Sequence, residues 1–173
     1  ALVFLPLLKP GLLDLRHKLA LMALGAVQLG IMYIFFYQSF VLLSVPEVLL
    51  FTILTPLHVT LIEDALNRRF NPWALLAALV AVLGAGIIRY DGISSSFLLG
   101  FLLLQVANFT FAAGQVLYKH LLLKFPSSEP QYRRFGFFYL GALLIALPAF
   151  LLLGGIIVLQ RRRKRSEDAL GTA

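Results

Sequence analysis

Few residues in this 173-residue chain have the type and placement to do chemistry. His58 is the one Asp, Glu, Lys, Arg or His side chain deep inside a long apolar run, where an ionisable group is costly and marks a function by default. Gln105, Asn108, Ala112 and Gln115 follow at i, i+3, i+7 and i+10, a stripe of amides along one helix face. Thr55-Pro56 lies three residues before His58, and Pro56 has no N–H for the carbonyl of Thr52, so a kink is expected there. Freed backbone groups beside a cavity are a recurring device for meeting a polar solute. Gln28, Tyr33 and Tyr37 add an amide and two phenols on an earlier helix.

Each residue also has a packing role open to it. Asn108 and Gln115 stand evenly between interhelical hydrogen bonding and ligand contact, whereas Gln105 is read as packing. His58 reads either as a buried neutral imidazole or as a proton relay. Tyr33 and Tyr37 share a face with Ala26 and Gly30, a small-residue pair that lets helices approach while the rings line a groove. Ala77, Ala81 and Ala85 form a packing seam, and Glu63 and Asp64 are expected near Arg68 and Arg69.

Composition excludes other classes. Residues of the AVILMFWYC set make up 60% and DEKR only 13%, with a mean hydropathy of +0.90, far from a soluble domain. With no Cys there is no disulfide or thiolate metal site, and no two His have ligand spacing on one helix, so no metal or cofactor is expected. No nucleophile adjoins a base and no glycine-rich phosphate loop is present, so the chain reads as no enzyme.

The elements that must position these residues are apolar helices. Five segments approach the roughly 20 residues needed to cross hydrocarbon: Leu19 to Leu43, Pro46 to Leu66, Pro72 to Ile88, Phe97 to Leu123 and Phe135 to Leu159. Ser44-Val45-Pro46-Glu47 has the pattern of a capping box, Asn71-Pro72 repeats cap-then-proline, Trp73 suits headgroup level and Ser94 to Ser96 offer caps. Ala1 to Leu8 reads as the stub of a helix whose start is missing. The fold class is thus all-α, a polytopic bundle of five full transmembrane helices plus that stub.

The net charge of +7 records orientation. Nine of the 15 Lys and Arg fall in loops 9–18, 67–71 and 119–134 and only Arg89 on the opposite side, which makes those loops cytoplasmic. Arg161 to Arg165 form a tail on the other side if the last helix spans. It reads as a stop-transfer anchor or anionic-lipid contact after a truncated or rearranged C-terminus, and with no aromatic platform it is no nucleic-acid arm.

The blocks Gly25 to Tyr33, Leu49 to Leu57 and Leu83 to Asp91 resemble the EamA-type drug/metabolite transporter superfamily, in particular its carboxylate/amino acid/amine type, which includes an inner-membrane member associated with biotin uptake. The resemblance runs from Ala1 to about Leu153. It implies ten helices in two inverted repeats with the substrate between them, of which 1–93 would end the first repeat, 94–159 begin the second and 160–173 be a basic polar tail. It also implies alternating-access transport of a small carboxylate, amino acid, amine or vitamin across the bacterial inner membrane. Partners would be the lipid bilayer, the metabolite and the missing helices or a second copy. Gln28, Tyr33, Tyr37, Thr55, His58, Asn108 and Gln115 are the expected substrate contacts. The alternative is a non-transporting helix-packing module or the inactive product of a truncated gene.

Overall fold

The computed structural model describes residues 14–88, 95–126 and 130–171. Among them every regular element is a helix: α1 (Leu15–Gly25), a π-helical segment (Ala26–Ile31), α2 (Met32–Leu42), α3 (Val45–Thr52), α4 (Thr55–Asn67), α5 (Pro72–Ile88), α6 (Ser95–Lys124) and α7 (Gln131–Gly171). The expected stub Ala1 to Leu8, Lys9, Arg89 and Ser94 lie outside the described residues.

Four helical stretches are long and apolar enough to cross a membrane: Leu15–Leu42, Val45–Asn67, Ser95–Lys124 and Gln131–Leu152. The expected crossing at Pro72 to Ile88 forms α5 with those bounds. At 1.5 Å per residue it is about 26 Å long, shorter than a hydrocarbon core of ~30 Å. The last helix departs further from expectation. It begins at Gln131 instead of Phe135 and its backbone continues to Gly171, so the basic run Arg161 to Arg165 extends a helix instead of forming a separate tail.

Local chemistry sets the ends. Glu47 Oε2 accepts from the Ser44 backbone N–H at 2.7 Å and its hydroxyl at 2.8 Å, with Pro46 in the first turn. The α4–α5 connection turns on Arg68 in the left-handed conformation (φ 51°), with the N–H of Arg69 returning to the carbonyl of Asp64 at 2.9 Å. Asp64 accepts from the N–H of Asn71 at 2.8 Å, and the Asn71 side chain caps Trp73 at 3.1 Å. Asp64 therefore closes its own turn, and Glu63 reaches across to Lys119 on α6 at 2.8 Å. Asp64 thus lies beside Arg68 and Arg69 as expected, while Glu63 finds its cation on another helix.

The α1–α2 helix lies between α6 and α7, α4 packs on the other flank of α6, and α5 packs on α4. Apolar burial gives little drive between helices surrounded by lipid, so backbone approach and hydrogen bonds decide the packing. At the α1–α7 crossing a side-chain carbon on Gly25 would collide with the carbonyl oxygen of Phe138, and one on Gly141 with that of Met22. Toward one end Leu43, Val48, Phe51, Phe97 and Leu104 form a cluster; toward the other Leu21 and Phe137 do, with Tyr118 and Leu121 against them. Val41, Leu49, Leu79 and Phe150 stay exposed, as lipid-facing side chains must. The buried Ser39 hydroxyl bonds its own helix, donating to the carbonyl of Phe36 at 2.7 Å.

Two glycines should respond in opposite directions. Gly141→Leu forces the α1 and α7 backbones apart and is expected to lower the thermal midpoint in detergent by the equivalent of 3 kcal/mol or more, roughly the upper range of overpacking costs. A Cβ on Gly84 meets nothing within 4 Å, so Gly84→Ala should stabilise by about 0.5–1 kcal/mol. Equal losses from both would contradict the α1–α7 contact.

Candidate functional site

Pro56 does break its helix, and the break is built into the neighbouring helix. Regular bonding stops after Thr52 and resumes at Thr55, leaving carbonyls that hydrocarbon cannot solvate. The Thr55 hydroxyl donates to the carbonyl of Thr52 at 2.7 Å, replacing the donor that Pro56 lacks. The carbonyl of Phe51 receives the N–H of Leu54 at 3.2 Å and Nδ2 of Asn108 at 3.0 Å. The carbonyl of Leu54 accepts from His58 Nδ1 at 2.9 Å. That nitrogen must carry the proton, so in the neutral ring Nε2 keeps its lone pair.

Asn108 is 4% exposed and its amide is committed to protein groups. Nδ2 faces Phe51 and the Oε1 of Gln105 (3.4 Å), while Oδ1 lies 3.2 Å from the Thr55 hydroxyl. Its place is interhelical. The adjacent Gln105, read from sequence as packing, has its Nε2 buried without a hydrogen-bond partner, so the donor left available beside the break belongs to it.

Beyond the break a polar track follows the α4–α6 seam. Gln115 lines a 280 Å³ groove with Val59, Thr60, Glu63, Asp64, Val116 and Lys119. Lys119 bonds Glu63 at 2.8 Å, and His120 Nε2 lies 3.6 Å from the same carboxylate. Sequence reasoning missed this link although a signal existed: Lys119 is one turn past Gln115 on the amide stripe and Glu63 is two turns past Thr55. Among the described residues no group of His, Cys, Asp and Glu could hold a metal ion.

The other expected contacts lie elsewhere. Tyr33 and Tyr37 stack at 5.6 Å and line a 420 Å³ groove with Gly30, Ile34, Gln38 and Val41 of the first helix and Ala146, Ala149 and Phe150 of α7. The small residue and the aromatic rings share this groove as their spacing implied. Gln28 sits in the π-helical segment against Gly114 of α6, where any added side-chain carbon would strike it. The structure thus brings Thr55, His58 and Asn108 together, continues them to Gln115, and separates Tyr33 and Tyr37 into a second groove. Ala77 and Ala81 line a third, of 270 Å³, facing Pro56 and Leu57.

No protein-family model matches the chain, and no solved structure matches it. It is similar to a probable biotin transporter of Pseudomonas aeruginosa, 65% identical over 153 residues that make up 88% of this chain and 54% of that protein. It is similar also to biotin transporters of Escherichia coli and Salmonella typhimurium, each 48% identical over 155 residues, 89% of this chain and 51% of theirs. The chain spans about half the length of the curated relatives it matches. These relatives are named as transporters, not enzymes.

The account of the break makes a coupling testable. Thr55→Val should cost about 1 kcal/mol by orphaning the Thr52 carbonyl. In a Pro56→Ala background the backbone supplies that donor, and the cost should fall to a few tenths. Denaturation of the four variants in mixed micelles checks this, and equal costs in both backgrounds would contradict it.

Proposed function

We propose that the chain forms part of the pathway of a secondary transporter of the EamA-type drug/metabolite superfamily, which carries biotin or a similar small carboxylate across the bacterial inner membrane by alternating access. The observation that carries this reading is the broken α3–α4 helix, joined through Asn108 to a seam whose polar groups continue to Glu63 and Lys119. A continuous helix would need no such seam, and broken helices beside polar tracks suit passage of a polar solute through hydrocarbon. Similarity to named biotin transporters supports the substrate, and helical spans suit the inner membrane, since outer-membrane spans are barrels. On this reading the four long crossings, with α5 as a fifth, belong to a ten-helix pair of inverted repeats. The free Nε2 of His58, Nε2 of Gln105 and the amide of Gln115 are the groups available to the ureido and carboxylate oxygens of such a solute, and Tyr33 and Tyr37 offer a flat aromatic face in the second groove.

One observation favours the alternative of a packing module: Asn108 spends its Nδ2 hydrogens on protein groups, the Phe51 carbonyl and Gln105 Oε1. The two readings separate in one assay. Labelled-biotin uptake into a biotin-requiring bacterium, with the protein expressed from its complete coding sequence, should fall about tenfold for Gln115→Leu and for Gln105→Leu at equal membrane levels. Uptake unchanged in both would overturn the site, and a loss explained wholly by lower membrane levels would favour the packing module.

A further inference from the structure

Where α1 begins, α6 ends and α7 begins, a second polar cluster lies outside the proposed pathway. His17, in the first turn of α1, is 3% exposed, and its ring stacks on Phe125 at 5.3 Å. Tyr118, near the end of α6 and seven residues before Phe125, stacks on Phe135 at 6.0 Å, the residue after Arg134 on α7. Leu21, one turn after His17, packs with Phe137 and Tyr118, so the three helix faces meet. Arg134 lies within electrostatic reach of both His17 and Tyr118.

Nε2 of His17, the hydroxyl of Tyr118 and Nε of Arg134 are each buried without a hydrogen-bond partner. One such atom costs about 1–3 kcal/mol, and three at one junction require a common explanation. All three can donate a hydrogen: the guanidinium always, the phenol through its O–H, the imidazole as its Nε2–H tautomer or as imidazolium. The surroundings are cationic, with Lys18 over the ring of Phe137 at 5.7 Å and Lys124 over that of Phe125 at 5.9 Å. Among the described residues the acid near His17 is Asp14, exposed before α1, and Glu63 is held by Lys119. Among those residues the three donor groups at this junction, in a positive setting, lack an acceptor, and a compact anion supplies several at once.

We infer that His17, Tyr118 and Arg134 bind a phosphate-type oxyanion at this end of the bundle, either the headgroup phosphate of an anionic lipid or a free phosphate. The site ties the ends of α1, α6 and α7 together when filled.

Thermal unfolding of the purified chain tests this in two arms. One adds inorganic phosphate in neutral micelles against chloride at equal ionic strength; the other compares phosphatidylcholine discs with and without phosphatidylglycerol. The midpoint should rise saturably in at least one arm. A rise with phosphate identifies a free-anion site and a rise with phosphatidylglycerol alone a headgroup site. Tyr118→Phe, which keeps the stacked ring, and Arg134→Gln should each weaken the apparent affinity about tenfold. Without ligand, Tyr118→Phe should leave the midpoint unchanged or higher. Midpoints that move in neither arm, or move equally in wild type and both variants, overturn the site.

Discussion

A proline in the middle of an apolar helix leaves a carbonyl without a donor, and in hydrocarbon no water can make up the loss. The second crossing helix carries that constraint at Pro56, and much of the bundle is arranged around it. Thr55 returns its hydroxyl to Thr52, and Asn108 bridges from α6 to Phe51. These bonds fix the register of α3 and α4 against α6, and that register aligns Gln115 with Thr60 and Glu63 with Lys119. The long seam from break to ion pair therefore follows from one missing N–H.

A different device holds the other side. Gly25 and Gly141 bring the α1 and α7 backbones into contact, a packing that needs no polar group and leaves none for a solute. Where the two helices part, Tyr33 and Tyr37 line the resulting groove with Phe150. The bundle thus offers unlike surfaces, a hydrogen-bonded seam between α4 and α6 and an aromatic-lined groove between the first helix and α7. The biotin-like solute we propose, with a polar ureido ring and an aliphatic chain, has both characters.

The parts legible in the sequence were those governed by one residue or one short motif. Pro56, the Ser44–Glu47 cap and the Asn71 cap act within a turn or two of themselves, and each is where its spacing placed it. The amide stripe was legible as a stripe, but which amide is spent inside the protein depends on its neighbour across the seam. That is why Asn108, open from sequence to a ligand, has its donor spent inside the protein, and Gln105, read as packing, keeps one. The π-helical segment has only Gly25 and Gly30 as a local trace, because its cause is accommodation against α6 and α7. Glu63 chose Lys119 over Arg68 and Arg69 for the same non-local reason. Helix α7 runs past the apolar stretch because charged residues with high helix propensity do not end a helix by themselves.

The central claim is that Asn108 of α6 completes the broken helix. Solid-state NMR in lipid bilayers, with carbonyl carbon labelled at Phe and side-chain nitrogen at Asn, reads this contact directly. The account predicts a dipolar coupling between Asn108 Nδ2 and the Phe51 carbonyl, consistent with the 3.0 Å hydrogen bond. The absence of that coupling in a folded, bilayer-embedded sample would contradict it.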